Sequence, residues 1–182
     1  MLRIVEADTP ELLSLASDLL RDFPPHQRRR YADHLHIVER YFDEAAYAHE
    51  LADLHAHYGP PQGCVLLALE DKETVGVVCL RKLDGEACEM KRLYVPGSQR
   101  GKGIGKALVT AFINAARERS FRIMRLDTGF FMTEALGLYE RFGFRRIQAY
   151  HAAEPVLAAA LVFMEREVDP VGPPSRGEEF AG

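Results

Sequence analysis

The sequence predicts a single α+β domain built on a central mixed sheet, and three observations carry that prediction. Strand-like runs at 64–69 and 74–80 are joined by the polar turn Glu70-Asp71-Lys72-Glu73, the pattern of an antiparallel hairpin. A strand at 87–95, a Gly-rich loop, a helix from Ile104 and a strand at 122–127 then follow as one strand–helix–strand unit. Hairpins combined with one such unit indicate α+β. The length of 182 residues, with 47% apolar and 27% charged side chains, suits one domain with a sizeable core.

Leu2-Arg3-Ile4-Val5 alternates loosely and reads as a short first strand. Asp8-Thr9-Pro10-Glu11 has capping-box spacing with proline suited to a first helical turn. Leu12, Leu15, Ala16 and Leu19 continue at helical spacing to about Arg21, and Phe23-Pro24-Pro25 is expected to break that helix. From about Arg29 to Tyr58 the pattern is helical again. Val38, Tyr41, Ala45, Ala48, Leu51, Leu54 and Tyr58 form a drifting stripe that one long helix or two shorter ones would fit, closed by Gly59-Pro60-Pro61. After the hairpin, a turn at Asp84-Gly85 leads into the strand at 87–95. There Met90, Arg92 and Tyr94 alternate with Glu89, Lys91, Leu93 and Val95. Ile104, Leu108, Phe112 and Ala115 mark a helix to about Arg119; 133–142 reads as a short helix and 144–149 as a strand. The apolar run within 157–168 could close the sheet or form a homodimer interface. Residues 170–182 hold three Pro and three Gly in thirteen positions and read as a disordered tail, leaving 1–169 as the domain.

Lys and Arg number 23 against 27 Asp and Glu, a formal charge of −4, with a pI near 6.0. That balance disfavours nucleic-acid binding as the main business. No run approaches the roughly 18 apolar residues of a membrane span, and the N-terminus lacks a basic-then-apolar signal pattern. Cys64, Cys79 and Cys88 include no CxxC pair. They read as reduced, buried thiols of a cytoplasmic protein.

The informative stretch is Glu89-Met-Lys-Arg-Leu-Tyr-Val-Pro-Gly-Ser-Gln-Arg-Gly-Lys-Gly-Ile-Gly-Lys106: a strand, a loop with Gly97, Gly101, Gly103 and Gly105, and a helix N-terminus. Glycines let backbone N–H groups turn toward a ligand, the helix dipole favours an anion, and Arg100, Lys102 and Lys106 add positive charge. A phosphate or pyrophosphate is the natural guest. A Walker loop is excluded, because neither Gly101-Lys102 nor Gly105-Lys106 has the glycine spacing or the following Ser or Thr. The dinucleotide pattern also fails: Gly101-x-Gly103-x-Gly105 is not GxGxxG, although Asp127 stands where a ribose-binding acid would.

The chain resembles the GCN5-related N-acetyltransferases (GNAT), which transfer acetyl from acetyl-CoA to an amine. Arg100-Gly-Lys-Gly103-Ile-Gly105 matches their R/Q-x-x-G-x-G/A pyrophosphate loop, and Ala135-Leu-Gly-Leu-Tyr139-Glu-Arg-Phe-Gly143-Phe144 resembles a downstream A-x-x-L-Y-x-x-x-G-F signature. The resemblance covers about residues 63–167. It implies a mixed, mostly antiparallel sheet flanked by helices, with acetyl-CoA as co-substrate entering between the fourth and fifth strands and no metal. It places the pantetheine arm against Leu93, Tyr94 and Val95 and the pyrophosphate on the backbone of Arg100, Gly101, Lys102, Gly103, Ile104, Gly105 and Lys106. Tyr139 matches the tyrosine that protonates the leaving thiolate. Glu89 and Asp127 are the candidates to take the amine's proton, and 26–61 is the segment expected on the acceptor side. Met132 stands where an asparagine is frequent in the family, and Pro96 comes one residue early.

The implied partner is a small-molecule or peptide amine, attacked directly on the thioester with the oxyanion held by strand-four N–H groups near Leu93 and Val95. A catalytically silent acyl-CoA-binding module is the alternative. Other features are read as ordinary. His49, Asp53 and His57, four apart, suit a solvated helix face better than a metal site. Arg28-Arg29-Arg30 is read as solvent-facing, and Cys79 and Cys88 as buried structural thiols rather than nucleophiles.

Overall fold

The computed structural model describes residues 1–168, so the stretch read as a disordered tail, 170–182, lies outside the described residues. Seven strands form one sheet in the order β1-β2-β3-β4-β5-β7-β6. They are β1 (Leu2–Glu6), β2 (Cys64–Glu70), β3 (Glu73–Asp84), β4 (Ala87–Tyr94), β5 (Ile123–Gly129), β6 (Arg145–Ile147) and β7 (Leu161–Glu167). Every pairing is antiparallel except β4 with β5, which the crossover helix between them makes parallel. The apolar run near the C-terminus lies inside the sheet: β7 is inserted between β5 and β6.

Alternation along the strands sends side chains to two cores. On one face Leu66, Val78, Leu80, Met90, Met124 and Leu126 pack under α6 (Ile104–Glu118) and α7 (Thr133–Arg141). On the other, Val65, Leu67, Val77, Cys79 and Tyr94 pack under the N-terminal helices. The first of these, α1 (Pro10–Arg21), starts as the sequence predicts, with Thr9 Oγ1 accepting from Leu12 N–H.

The prolines that follow do not leave a gap. They sit in the first turn of a second helix, α2 (Phe23–Arg30), where the missing proline N–H costs no hydrogen bond. The stretch to Tyr58 is also cut more finely than its periodicity suggests. A 3-10 turn at Ala32–His34 precedes α3 (Leu35–Tyr41), α4 (Glu44–Ala52) and α5 (Leu54–Tyr58). Asp43 and Asp53 cap α4 and α5, accepting from Ala46 N–H at 2.8 Å and Ala56 N–H at 2.9 Å. The break at Asp53 takes His49 and His57 off any shared helix. Two bonds tie this segment to α1: Tyr47 donates to the Leu20 carbonyl at 2.8 Å, and Ser17 donates to the Leu51 carbonyl at 3.1 Å. A last short helix, α8 (Pro155–Ala160), leads into β7. Among the described residues no helix is long and apolar enough to cross a membrane.

Candidate active site

The sheet carries an opening at its centre. Strands β4 and β5 pair only at Ala87–Ile123, Cys88–Met124 and Glu89–Arg125, and beyond these residues they diverge. Through the gap runs a cleft of about 80 Å³ between residues 90–93 of β4 and Asp127, Thr128 and Gly129 of β5. Tyr139 and Met132 line it from the α7 side, and Gln27, Tyr31 and Tyr41 from the α2–α3 side.

A bulge shapes the β4 wall. Val77 faces Tyr94 and Cys79 faces Lys91, so one β4 residue is extra, and Arg92 sits at φ +59. A non-glycine residue there needs support. Glu50 supplies it with two hydrogen bonds from Arg92, at 2.7 and 2.5 Å, while the guanidinium lies 4.7 Å from the Tyr47 ring. The helical segment thus holds the strand in its cleft-forming shape.

At the end of β4 the chain makes a 3-10 turn at Gly97–Gln99 and enters the glycine loop. Gly101 and Gly103 lie at φ +79 and +80, in the left-handed region that favours glycine. No atom lies within 4 Å of where a Cβ would project from either. Gly103 is the N-cap of the 15-residue α6, which has neither a side-chain cap nor an acidic residue in its first turn. Its first-turn N–H groups therefore face an open, anion-favouring site. The loop's side chains are partly committed: Arg100 contacts His26 at 2.9 Å and Glu134 at 3.4 Å, and Lys102 donates to Gln99 at 2.7 Å. Lys106 and the backbone at Gly105 are accessible. Tyr94 and Ile104 bury their side chains, Tyr94 stacked on Phe23 at 4.8 Å, so only their backbones could meet a ligand. Leu93 lines the cleft, and Val95 packs at the edge of the α6-side core.

The three residues singled out for proton transfer fall into different surroundings. Tyr139 is 7% exposed and lines the cleft, and its hydroxyl has no hydrogen-bond partner among the described residues. Burial raises its pKa above the ordinary tyrosine value. Asp127 also lines the cleft. Its Oδ1 accepts from Tyr41 at 2.9 Å, and its Oδ2 accepts from Lys91 at 3.0 Å and meets His151 Nε2 at 3.1 Å. Burial pushes this carboxyl up, but the bond with His151, the charge and bond of Lys91 and the Tyr41 hydroxyl together hold it well below the usual carboxylate range. Glu89 lies behind the cleft wall and is fully buried. Its Oε2 accepts from Arg81 at 2.7 Å, and its Oε1 accepts from Tyr150 at 2.8 Å.

Lys91 bridges the two carboxylates, 3.6 Å from Glu89 and 3.0 Å from Asp127. Burial pulls its pKa down, and the adjoining Tyr41, Asp127 and Glu89 pull it further up, so it stays charged. Glu89, Asp127 and His151 also bring ligand-type atoms within 4.8 Å of one another. The donor set suits a metal poorly, because the Lys91 ammonium already supplies the positive charge between them.

His151 is the residue that sequence reasoning missed. It comes from the loop after β6, 24 positions from Asp127, and no motif marks it. Its hydrogen bond to Asp127 raises its pKa, against a smaller effect of burial, and its side chain is 35% exposed. Gln27 and Glu50 were missed for the same reason: only folding brings α2 to the cleft and sets α4 against Arg92. The cysteines are buried, and burial lifts Cys88 to about 12 and Cys79 well above the ordinary thiol value, so neither offers a thiolate.

The profile of the acetyltransferase (GNAT) family matches residues 16–144. The chain belongs to that family. This GNAT chain is 38% identical over 104 residues to an uncharacterized N-acetyltransferase of Schizosaccharomyces pombe, across 56% of this chain and 64% of that protein. It is 33% identical over 120 residues to the N-acetylaspartate synthetase of Danio rerio, across 65% of this chain and 42% of the relative. It spans about half the length of these curated relatives. In fold it is similar to PaiA N-acetyltransferase from Thermoplasma acidophilum, solved in complex with coenzyme A. The TM-score is 0.67 at 16% identity, over 92% of this chain and 99% of that one. At that identity the likeness is one of fold.

Proposed function

We propose that this GNAT protein transfers the acetyl group of acetyl-CoA to a primary amine by direct attack. The observation that carries the reading is the divergence of β4 from β5, which opens a cleft through the sheet, while the loop that leaves β4 leads to the uncapped N-terminus of α6. The N–H groups of residues 100–106 would hold the pyrophosphate, and residues 93–95 the pantetheine arm. The open space beside Gly101 and Gly103 supports that assignment. When bound, the thioester supplies an activated acetyl group.

Tyr139 donates a hydrogen bond to the sulfur that leaves, and its raised pKa keeps it protonated for that role. Of the two carboxylates, Asp127 faces the cleft and Glu89 does not. Asp127 is too weak a base to act alone; it orients His151, which takes the amine's proton through an intervening water. A C–N bond forms as the C–S bond breaks, and the proton lost by nitrogen is balanced by the one the thiol gains. Glu89 is assigned a structural role as the counter-charge of Arg81 and Lys91.

The product name of the Danio rerio relative would make aspartate an acceptor. A dicarboxylate needs uncommitted cations, and both cations lining this cleft are already paired, Lys91 with Asp127 and Arg92 with Glu50. The test is incubation with isotopically labelled acetyl-CoA and a panel of amines, read by mass spectrometry. A labelled N-acetyl product supports the reading. Acetyl-CoA binding with no product from any amine overturns it in favour of a silent module.

A further inference from the structure

Resting on the acetyl-transfer reading, we propose that the acceptor is a monoamine carried on an aromatic or similarly flat apolar body, with Gln27 Oε1 accepting its N–H. Three independent features of the cleft carry this.

The first is an unpartnered acceptor. Gln27 is 4% exposed, lines the cleft, and its Oε1 is the one fully enclosed side-chain oxygen or nitrogen without a hydrogen-bond partner among the described residues. A buried amide oxygen left unpaired costs about 1–3 kcal/mol, so a retained one asks for a donor. An amine nitrogen, whether charged or neutral, is such a donor.

The second feature is aromatic. Tyr31 stands one helical turn after Gln27, and its ring lies 5.0 Å from Phe131. His34 stacks on Phe131 at 4.3 Å and 15°, and the neighbouring Phe130 remains 50% exposed. Of these rings Tyr31 and Phe131 line the cleft, and they give it an aromatic wall against which a flat body can pack.

The third is charge. Every charged side chain lining the cleft is compensated within the protein, as the Lys91–Asp127 and Arg92–Glu50 pairs show. A polyamine or aminoglycoside would bring several charges into this cleft with no free carboxylate to meet them, at a high desolvation cost. A monoamine brings only the nitrogen, which Gln27 receives, and its apolar body gains from burial against the rings.

The experiment compares 2-phenylethylamine, spermidine, kanamycin and L-aspartate as acceptors at fixed labelled acetyl-CoA, using the full chain. The expected result is a kcat/KM for 2-phenylethylamine at least tenfold above the other three. Turnover with spermidine, kanamycin or aspartate that equals or exceeds it overturns the acceptor class and leaves acetyl transfer standing. No product from any of the four overturns the acceptor class, and acetyl transfer itself falls only if the wider amine panel also gives none. A Gln27→Leu variant supplies a second readout. It loses no internal hydrogen bond at Oε1, so its melting temperature should hold or rise, while KM for 2-phenylethylamine rises about tenfold and acetyl-CoA affinity is unchanged. A lowered melting temperature with unchanged KM would show Gln27 to be structural and overturn its role.

Discussion

Replacing Tyr139 by Phe should separate chemistry from binding and from stability. The ring contact with Phe144, at a centroid distance of 5.9 Å, is kept by phenylalanine. No protein group loses a partner, because the hydroxyl makes no hydrogen bond among the described residues. Unfolding free energy should therefore stay within about 1 kcal/mol of the parent chain. The rate effect follows from the two acidities. An ordinary thiol titrates about 1.5 units below tyrosine, and burial raises Tyr139 further, so complete proton transfer to a thiolate is uphill by at least about 2 kcal/mol. Tyr139 then acts as a hydrogen-bond donor to developing charge. A donor of that kind is worth roughly 100-fold in kcat, or about 2.7 kcal/mol. The assay is thiol release at saturating 2-phenylethylamine, with acetyl-CoA affinity measured separately by calorimetry. A kcat within twofold of the parent, or a loss confined to acetyl-CoA affinity, would refute the reasoning.

Other changes address the remaining assignments. His151 acts as a base only when deprotonated, and Asp127 raises its pKa. The pH profile of kcat should accordingly rise through a midpoint above the ordinary histidine value of about 6.5, and His151→Gln should abolish that limb. The same raised pKa makes the His151–Asp127 contact stabilising below the unfolded histidine's pKa, an increment lost as pH climbs through the folded one; melting curves of parent and variant should converge at alkaline pH. Glu89→Gln should cost about 2–3 kcal/mol in urea unfolding, less than a wholly buried pair because Arg81 is 42% exposed, while kcat of the folded protein changes little. A large loss of kcat without loss of stability would return Glu89 to catalysis. Gly103→Ala meets no steric obstacle but must hold φ +80, at a cost of about 1–2 kcal/mol, so acetyl-CoA affinity measured by calorimetry should fall about tenfold.

Much of the frame was legible because it rests on local chemistry. The polar turn at 70–73 set the β2–β3 hairpin, Thr9 and Pro10 marked the start of α1, and the spaced glycines marked an anion-binding helix start. The same local logic told part of the story where one signal carries two meanings. Phe23-Pro24-Pro25 does end α1 at Arg21, and the same prolines also open α2, which breaker logic leaves out. Asp43 and Asp53 carried capping chemistry that a search for apolar periodicity passes over.

The sequence by itself determined the alternation that buries two faces of a sheet, the glycine loop with its left-handed turns, and Tyr139 on a helix that follows the fifth strand. Each of these depends on residues within a few positions of one another. Tertiary structure alone decided which charges are free. Glu89 and Asp127 look alike along the chain, yet one is sealed against Arg81 and Tyr150 while the other faces the cleft with His151 behind it. It also decided that Glu50 would brace the Arg92 bulge and that the oxygen of Gln27 would go unpaired. Apart from Arg81 across its hairpin, the neighbours that decide burial and pairing here come from 24 to 61 positions away, and no local pattern encodes which neighbours those will be.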